Sequence, residues 1–274
     1  IKINFRLCDL KSPIYSVNFY DEEVISSSNL GFDFKKEPDL LKGFEIINST
    51  TSKFNETWKP IWGEESKITN DYQELFIELQ ELEAPKRLMN LRFRAFNDGI
   101  AFRYEIPEQK NLKDFIIIDE KTTFNFTEDH TAWWIPSDYD TYEFIHNESS
   151  ISEIPQAAQN SQHGHSRQKS WKGANTPITM ESPAKDYYLS VHEANLQDYA
   201  GMTLIPVKDS PYSKYSFEAD LVPWANGDKV RATAGIHSPW RMIIITKSPE
   251  ELLESRMILN LNEPNKISDT SFIK

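Results

Sequence analysis

Along most of this chain apolar and polar residues alternate, the period-two signature of strands with one buried face. Tyr15, Val17 and Phe19 share a parity ahead of the acidic turn Asp21-Glu22-Glu23, and Leu30, Phe32 and Phe34 repeat the pattern. Leu75, Ile77 and Leu79 alternate with Glu74, Glu78 and Gln80. The clearest unit is "NLRFRAFNDGIAFRYEI": Leu91, Phe93 and Ala95 oppose Arg92 and Arg94, and Ile100, Phe102, Tyr104 and Ile106 return after Asn97-Asp98-Gly99. Asp-Gly between two alternating runs predicts a hairpin, with the glycine taking a positive φ. Further strands are predicted at Thr122–Phe126, Tyr187–Val191, Tyr215–Leu221, Val230–Ile236 and Arg241–Thr246.

One segment, "SPEELLESRMILNL", predicts a helix near the C-terminus. Ser248 caps it, Pro249 opens it, Glu251 completes a Ser-x-x-Glu box, and Leu252, Leu253 and Met257 form its apolar stripe. The Ser-, Gln- and His-rich stretch from Glu148 to Gly173 lacks periodicity and reads as a long loop. The pattern as a whole predicts an all-β, antiparallel sandwich or barrel.

Composition narrows the functional classes. The 274 residues, 39% hydrophobic, suffice for one large or two small folded units, and 16 Phe, 11 Tyr and 7 Trp suit a strand-built core. A net charge of −12 argues against a nucleic-acid surface. Cys8 is the single cysteine, which excludes an internal disulfide and a cysteine zinc site. No run approaches the length of a membrane-spanning helix. Ile1 to Phe5 already alternates like a strand and Phe272-Ile273-Lys274 stops without a closing signal, so the sequence reads as part of something longer.

One residue breaks the pattern in a chemically pointed way. In "DYYLSVHEANLQDYAGM", Tyr187, Leu189 and Val191 share the apolar parity, and the next position of that parity is Glu193. A carboxylate aimed at a core must be paired, protonated or bound to a cation, because an uncompensated buried charge costs several kcal/mol. Three readings stay open: a bridge to an arginine such as Arg231 or Arg241, a strand that ends just before it, or a metal ion. Asp198 reads as a turn former. Other candidates are weaker. His163 and His165 could ligate a metal but sit in the polar loop, and the acidic run Glu143–Glu153 lacks the spacing of a calcium loop. Trp133 and Trp134 lie beside Tyr139 and Tyr142 among acids, and Trp58 and Trp62 flank Lys59-Pro60, the mixture of flat aromatics and carboxylates that suits sugars; tryptophan in a β domain is more often packing.

Six stretches, "LGFDF", "FRAFNDGIAFRYEI", "AWWIPSDYDTYEF", "ANTPITM", "YYLSVHEANLQDYAGM" and "SPWRMIIITKSPEELLES", occur in that order from about residue 30 to residue 255. In them the chain resembles the N-terminal domain of glycoside hydrolase family 97, bacterial α-glycosidases (α-glucosidases and α-galactosidases) that include the starch-utilisation α-glucosidase of gut Bacteroides. The resemblance implies a single β-supersandwich over residues 1–274, of the galactose-mutarotase type, packed on a downstream catalytic (β/α)8 barrel that carries the principal catalytic carboxylates. It further implies that Glu193, the glutamate of the "HEA" motif, is a calcium ligand delivered into the barrel's active site. A lone carboxylate is too weak to hold calcium, so without the barrel the site is expected to be empty and this stretch of chain to be inactive.

Asn175, in "ANTPITM", is a structural turn first and a substrate-side contact second. Trp133 and Trp134 are further candidates for sugar contact, and the loop 156–172 for a lid. The partners implied are the barrel and an α-linked oligosaccharide, with no nucleic acid and no membrane span, and the location implied is the periplasm or cell envelope. The competing readings are a non-catalytic carbohydrate-binding module using Trp133, Trp134 or Tyr142, and a cell-surface interaction sandwich with no sugar role.

Overall fold

The computed structural model describes residues 1–161, 166, 168 and 170–273, and the strands assemble into three antiparallel sheets. The seven-stranded sheet runs β1 (Lys2–Leu7), β2 (Pro13–Phe19), β3 (Glu22–Asn29), β10 (Thr123–Phe126), β17 (Tyr215–Leu221), β16 (Met202–Pro206), β13 (Ala174–Asn175). The ten-stranded sheet runs β12 (Asn147–Ser150), β11 (Thr131–Trp134), β14 (Ile178–Glu181), β15 (Tyr188–Ala194), β20 (Trp240–Thr246), β8 (Gly99–Ile106), β7 (Leu88–Ala95), β6 (Ile68–Glu81), β5 (Phe44–Trp58), with β19 (Ile236–His237) added to β8. A small sheet of β18 (Val230–Thr233), β9 (Asp114–Glu120) and β4 (Phe32–Phe34) closes one side. The all-β sandwich expected from the alternation is the fold observed.

Inward residues of the two large sheets meet in one continuous core. Tyr15 on β2 packs on Phe102 of β8 with ring centroids 4.8 Å apart, and Phe5 on β1 meets Phe93 of β7 at 5.7 Å. Tyr15, Phe93 and Phe102 are fully buried, and each such ring stabilises the fold by about 1.5–3 kcal/mol. Where Tyr15 must bury its hydroxyl, it donates to the Thr123 carbonyl at 2.9 Å, so the interior keeps no unmet polar group there.

The central strand β20 is buried on both faces. Arg241, Ile243 and Ile245 point into the sandwich, while Trp240 and Met242 join Phe96, Ala101, Ala194, Met257 and Leu261 in a second, smaller cluster on the outer face. Among the described residues there are three helices: α1 (Ile154–Asn160), α2 (Pro249–Glu254) and α3 (Met257–Leu261).

Several expectations are corrected. The C-terminal segment, expected to hold one or a few short helices, holds two, because Ser255 is extended between them (φ −61°, ψ 132°), with Met257 and Leu261 buried after the break. Ser248 does cap α2, accepting from the Glu251 amide, but Leu253 is 83% exposed and belongs to no apolar stripe. The Glu148–Gly173 loop contains the end of β12 and all of α1; His163 and His165, and much of the lid segment 156–172, lie outside the described residues. The run Val230–Ile236 is split by Gly235 (φ +100°). The fifteen-residue β5 was not foreseen, since its polar sequence is exposed along almost its whole length.

Gly99 serves a different purpose from the one its Asp-Gly setting suggests. It is absent from the positive-φ residues; a Cβ there would instead stand 2.4 Å from the Ile243 carbonyl oxygen and 2.5 Å from the Met257 sulfur. The sulfur can move and the strand carbonyl cannot. Gly99→Ala is therefore expected to destabilise the fold by about 1–3 kcal/mol, read as a lowered Tm in thermal unfolding, with far-UV spectra unchanged at low temperature.

Candidate functional site

Strand pairing places Glu193 of β15 directly across from Arg241 of β20, on the inward face, so the bridge to an arginine is the one observed. Strand β15 does not end before it. Tyr187, Leu189, Val191 and Glu193 are all buried as their shared parity requires. Arg241 Nη1 donates to Glu193 Oε2 at 2.6 Å, and the Met202 amide donates to Glu193 Oε1 at 3.0 Å. Arg231, the other arginine considered, is exposed and pairs with Asp228 at 2.9 Å.

Arg241 also holds a second carboxylate. Its Nε and Nη2 donate to Glu120 Oε1 and Oε2 of β9 at 2.8 and 2.7 Å, a bidentate fork between two side chains with no exposure at all. Thr122 donates to Glu120 Oε1 at 2.8 Å and Tyr199 to Oε2 at 3.1 Å. The Thr122 hydroxyl hydrogen being committed, Tyr104 donates to Thr122 Oγ1 at 2.6 Å and itself accepts from the Gly31 amide at 3.1 Å. Tyr199 follows the loop after β15, where Asn195 and Asp198 both hold positive φ.

The triad of Glu120, Arg241 and Glu193 carries two negative charges against one positive. Burial raises the Glu193 carboxyl above its ordinary range, against the lowering pull of Arg241 and the Met202 amide. Arg241 is shifted upward, since Glu120 and Glu193 outweigh the burial that would lower it.

Glu193 lies at the edge of this network, 8% exposed, while Glu120 and Arg241 are sealed. Gly201 stands over it; a Cβ on Gly201 would come 3.5 Å from Glu193 Oε1. Around it, Asn175 Oδ1 and both side-chain polar atoms of Asn195 are buried without hydrogen-bond partners among the described residues. Asn175 Nδ2 donates to the Asp138 carbonyl at 3.3 Å, and the next residue, Thr176, donates to the Met202 carbonyl at 3.1 Å. His192 stands against Thr176 Oγ1 at 3.2 Å through Nδ1, and Tyr142, 63% exposed, is close enough for its phenol to be raised by burial and by the Glu193 charge. Among the described residues these amides and the Glu193 carboxylate keep hydrogen-bonding capacity that this region does not use.

The aromatic candidates separate. Trp134 is 1% exposed, with its indole N–H donating to Ser149 Oγ at 3.0 Å, so it has no face to offer a sugar and belongs to the core. Trp133, opposite Thr179 in the β11–β14 pairing and donating to Glu148 Oε2 at 3.1 Å, is half-buried away from Glu193. Trp58 donates to Asn260 Oδ1 at 2.9 Å, and Trp62 is exposed beside α2 and α3.

Residues 1–264 match the family profile described as Glycosyl-hydrolase 97 N-terminal. The chain belongs to the glycosyl-hydrolase 97 N-terminal family. Among solved structures it is similar to a Glycoside Hydrolase Family 97 enzyme from Pseudoalteromonas sp. strain K8 in complex with panose, with a TM-score of 0.87 and 32% identity, covering 99% of this chain and 38% of that one. The complex of that enzyme with acarbose gives the same values. Among characterised proteins it is 23% identical over 229 residues to a retaining alpha-galactosidase of Bacteroides thetaiotaomicron, covering 76% of this chain and 32% of that protein. A beta-arabinopyranosidase, at 20% identity and a TM-score of 0.73, shares the fold. The glycosyl-hydrolase 97 N-terminal region thus spans well under half the length of the relatives it matches.

Whether this N-terminal domain suits a calcium ion can be asked of its own atoms. Among the described residues no three His, Cys, Asp or Glu side chains gather to hold a metal. Glu193, however, uses two of its four acceptor positions and is 8% exposed, with Gly201 over its Oε1. It fits one ligand of an oxygen-rich cation site whose other ligands come from elsewhere.

Asp138 fixes the wall beside Asn175. Its Oδ1 accepts from the amides of Asp140 and Thr141 at 2.7 and 3.0 Å, and its Oδ2 from Ser166 Oγ and from Trp171 Nε1, the latter at 2.6 Å. Burial alone would raise this carboxyl, but those four donors hold it below the usual range. A depressed folded value gives stability that is complete above the unfolded pKa of about 3.9 and is lost as pH falls through the folded value. Asp138→Asn, which turns an NH2 toward donors, is expected to lower stability at pH 7 by about 1–3 kcal/mol, with the gap to wild type narrowing below pH about 4; denaturant titrations across pH read this. Arg241→Met, which strands two buried carboxylates, is expected to lower stability by about 3–5 kcal/mol in the same measurement.

Proposed function

We propose that this chain is the N-terminal domain of a calcium-dependent α-glycosidase, packing on a catalytic barrel and presenting Glu193 as a calcium ligand to that barrel's active site. The observation that supports this most is the half-satisfied Glu193 carboxylate, 8% exposed, with Asn175 Oδ1 and the Asn195 side-chain amide unmet among the described residues. Relatives named for α-galactosidase activity, or solved with panose and acarbose, point to an α-linked oligosaccharide substrate. Calcium, when bound, would polarise and position the sugar near the scissile bond.

In this reading Arg241 and the Met202 amide fix the Glu193 carboxylate, and its two remaining acceptor positions serve the ion. Asn175, held by Asp138 and adjoining Thr176, would give its unused amide oxygen to a sugar hydroxyl. Acid and base chemistry falls to carboxylates of the barrel, whose separation decides between inversion and retention. A periplasmic or envelope location belongs to the same reading. The rival reading, a carbohydrate-binding module, loses Trp134 to the core and keeps Trp133 and Tyr142.

The test uses the full-length protein and the 274-residue chain side by side. Hydrolysis of aryl α-glycosides is expected from the full-length protein, lost with chelator and restored by calcium. Glu193→Gln is expected to reduce kcat/KM by about a hundredfold or more, a loss of more than about 2.7 kcal/mol in transition-state stabilisation. The isolated chain is expected to be silent and to show no heat in titrations with maltooligosaccharides. Hydrolysis by the isolated chain, unaffected by Glu193→Gln, overturns the proposal, and sugar binding lost on Trp133→Ala favours the binding module.

A further inference from the structure

The two glutamates held by Arg241 are not equivalent, and their difference assigns a role to the one that never reaches the surface. Glu120 accepts four hydrogen bonds, from Arg241 Nε, Arg241 Nη2, Thr122 and Tyr199, which fills all its acceptor positions. It is wholly buried and has nothing left to offer a ligand. Glu193 accepts two, from Arg241 Nη1 and the Met202 amide, and keeps the others.

We propose that Glu120 and Arg241 are positioning residues that set the direction and the net charge of the Glu193 carboxylate for cation binding. This rests on the reading of Glu193 as a calcium ligand. An arginine paired with Glu193 alone would neutralise it and make it a poor ligand for a divalent ion. Glu120 takes up the arginine's charge through the bidentate fork, so the guanidinium can hold Glu193 in place through Nη1 while the group of three stays negative.

The hydroxyl chain from the Gly31 amide through Tyr104 and Thr122, together with Tyr199, locks Glu120 in turn, so the geometry is set before any ion arrives. A buried residue that contacts neither ion nor sugar thereby governs affinity for the ion. Groups one step removed from a metal ligand commonly change its affinity by about 10–100-fold.

Calcium titration of the full-length protein by calorimetry, with thermal unfolding in chelator as the control for folding, tests this. Glu193→Gln is expected to abolish the calcium heat. Glu120→Gln, which keeps the shape and removes the charge, and Arg241→Lys, which keeps the charge and loses the three-way fork, are each expected to weaken the calcium Kd by about tenfold or more. Glu120→Asp, which keeps the charge, is expected to stay within about threefold of wild type.

A purely structural role would lower the Tm in chelator and leave the Kd of the folded protein unmoved, and that result overturns the proposal. So does a tenfold loss in Glu120→Asp, which would make reach and not charge the determinant. Whichever of Glu120→Gln and Arg241→Lys folds decides the matter, and Glu120→Asp does so if neither folds. If Glu193→Gln itself binds calcium like wild type, the reading of Glu193 falls, a result distinct from a failure of Glu120 and Arg241 alone.

Discussion

One guanidinium holds two carboxylates inside this sandwich, and the arrangement of the site follows from it. Arg241 stands on the central strand of the ten-stranded sheet, Glu193 on its neighbour, and Glu120 at the end of a strand in the small sheet. The Met202 amide, the second donor to Glu193, opens a strand of the seven-stranded sheet. All three sheets therefore converge on one ionic cluster. Such clusters add little net stability, because removing ions from water offsets most of their attraction, yet losing one partner is severe. Their value here lies in fixing where Glu193 points, a constraint that an apolar cluster of the same volume could not impose.

The strands that build this frame were legible where the physics is local. The hairpin of β7 and β8 and the inward face of β15 followed from alternation, because each buries one face and wets the other. Strand β5 was not legible: "FEIINSTTSKFNETW" buries only its first residue fully, so no apolar period exists to be seen. Helix α1 hid in a Ser- and Gln-rich stretch because two buried residues, Ile154 and Ala158, suffice to seat it. The break between α2 and α3 depends on docking against the sheet, which propensity does not record.

The site divides in the same way. Glu193 announced itself by violating a pattern, and Arg241 was one of two arginines in view. Glu120 gave no such signal: Ile117 is buried and Ile118 is 37% exposed, but the parity then slips and Glu120, not Asp119, turns inward. Asn195 was likewise invisible, because an asparagine in a left-handed conformation reads first as a turn residue. Resemblance to a family suggested the calcium reading proposed for the glutamate; coordinates supplied its surroundings. Fold alone would not have done so, since sandwiches of this kind carry many activities.

The long outer hairpin carries a separate consequence. Its tip is tied to the last helices by Trp58 to Asn260, by Asn260 Nδ2 to the Thr69 carbonyl at 3.0 Å and by Arg256 to Glu65 at 2.5 Å, joining segments almost two hundred residues apart. Strand β5, on its far side, forms the rim of the ten-stranded sheet, and among the described residues no strand continues beyond it. A flat apolar rim of that length would recruit other polypeptides into shared sheets, the first step toward fibres. Serine, threonine and asparagine, punctuated by Glu45, Lys53 and Glu56, keep it hydrated instead. The polarity that concealed this strand from pattern reading thus makes an open sheet edge a poorer template for pairing with other chains.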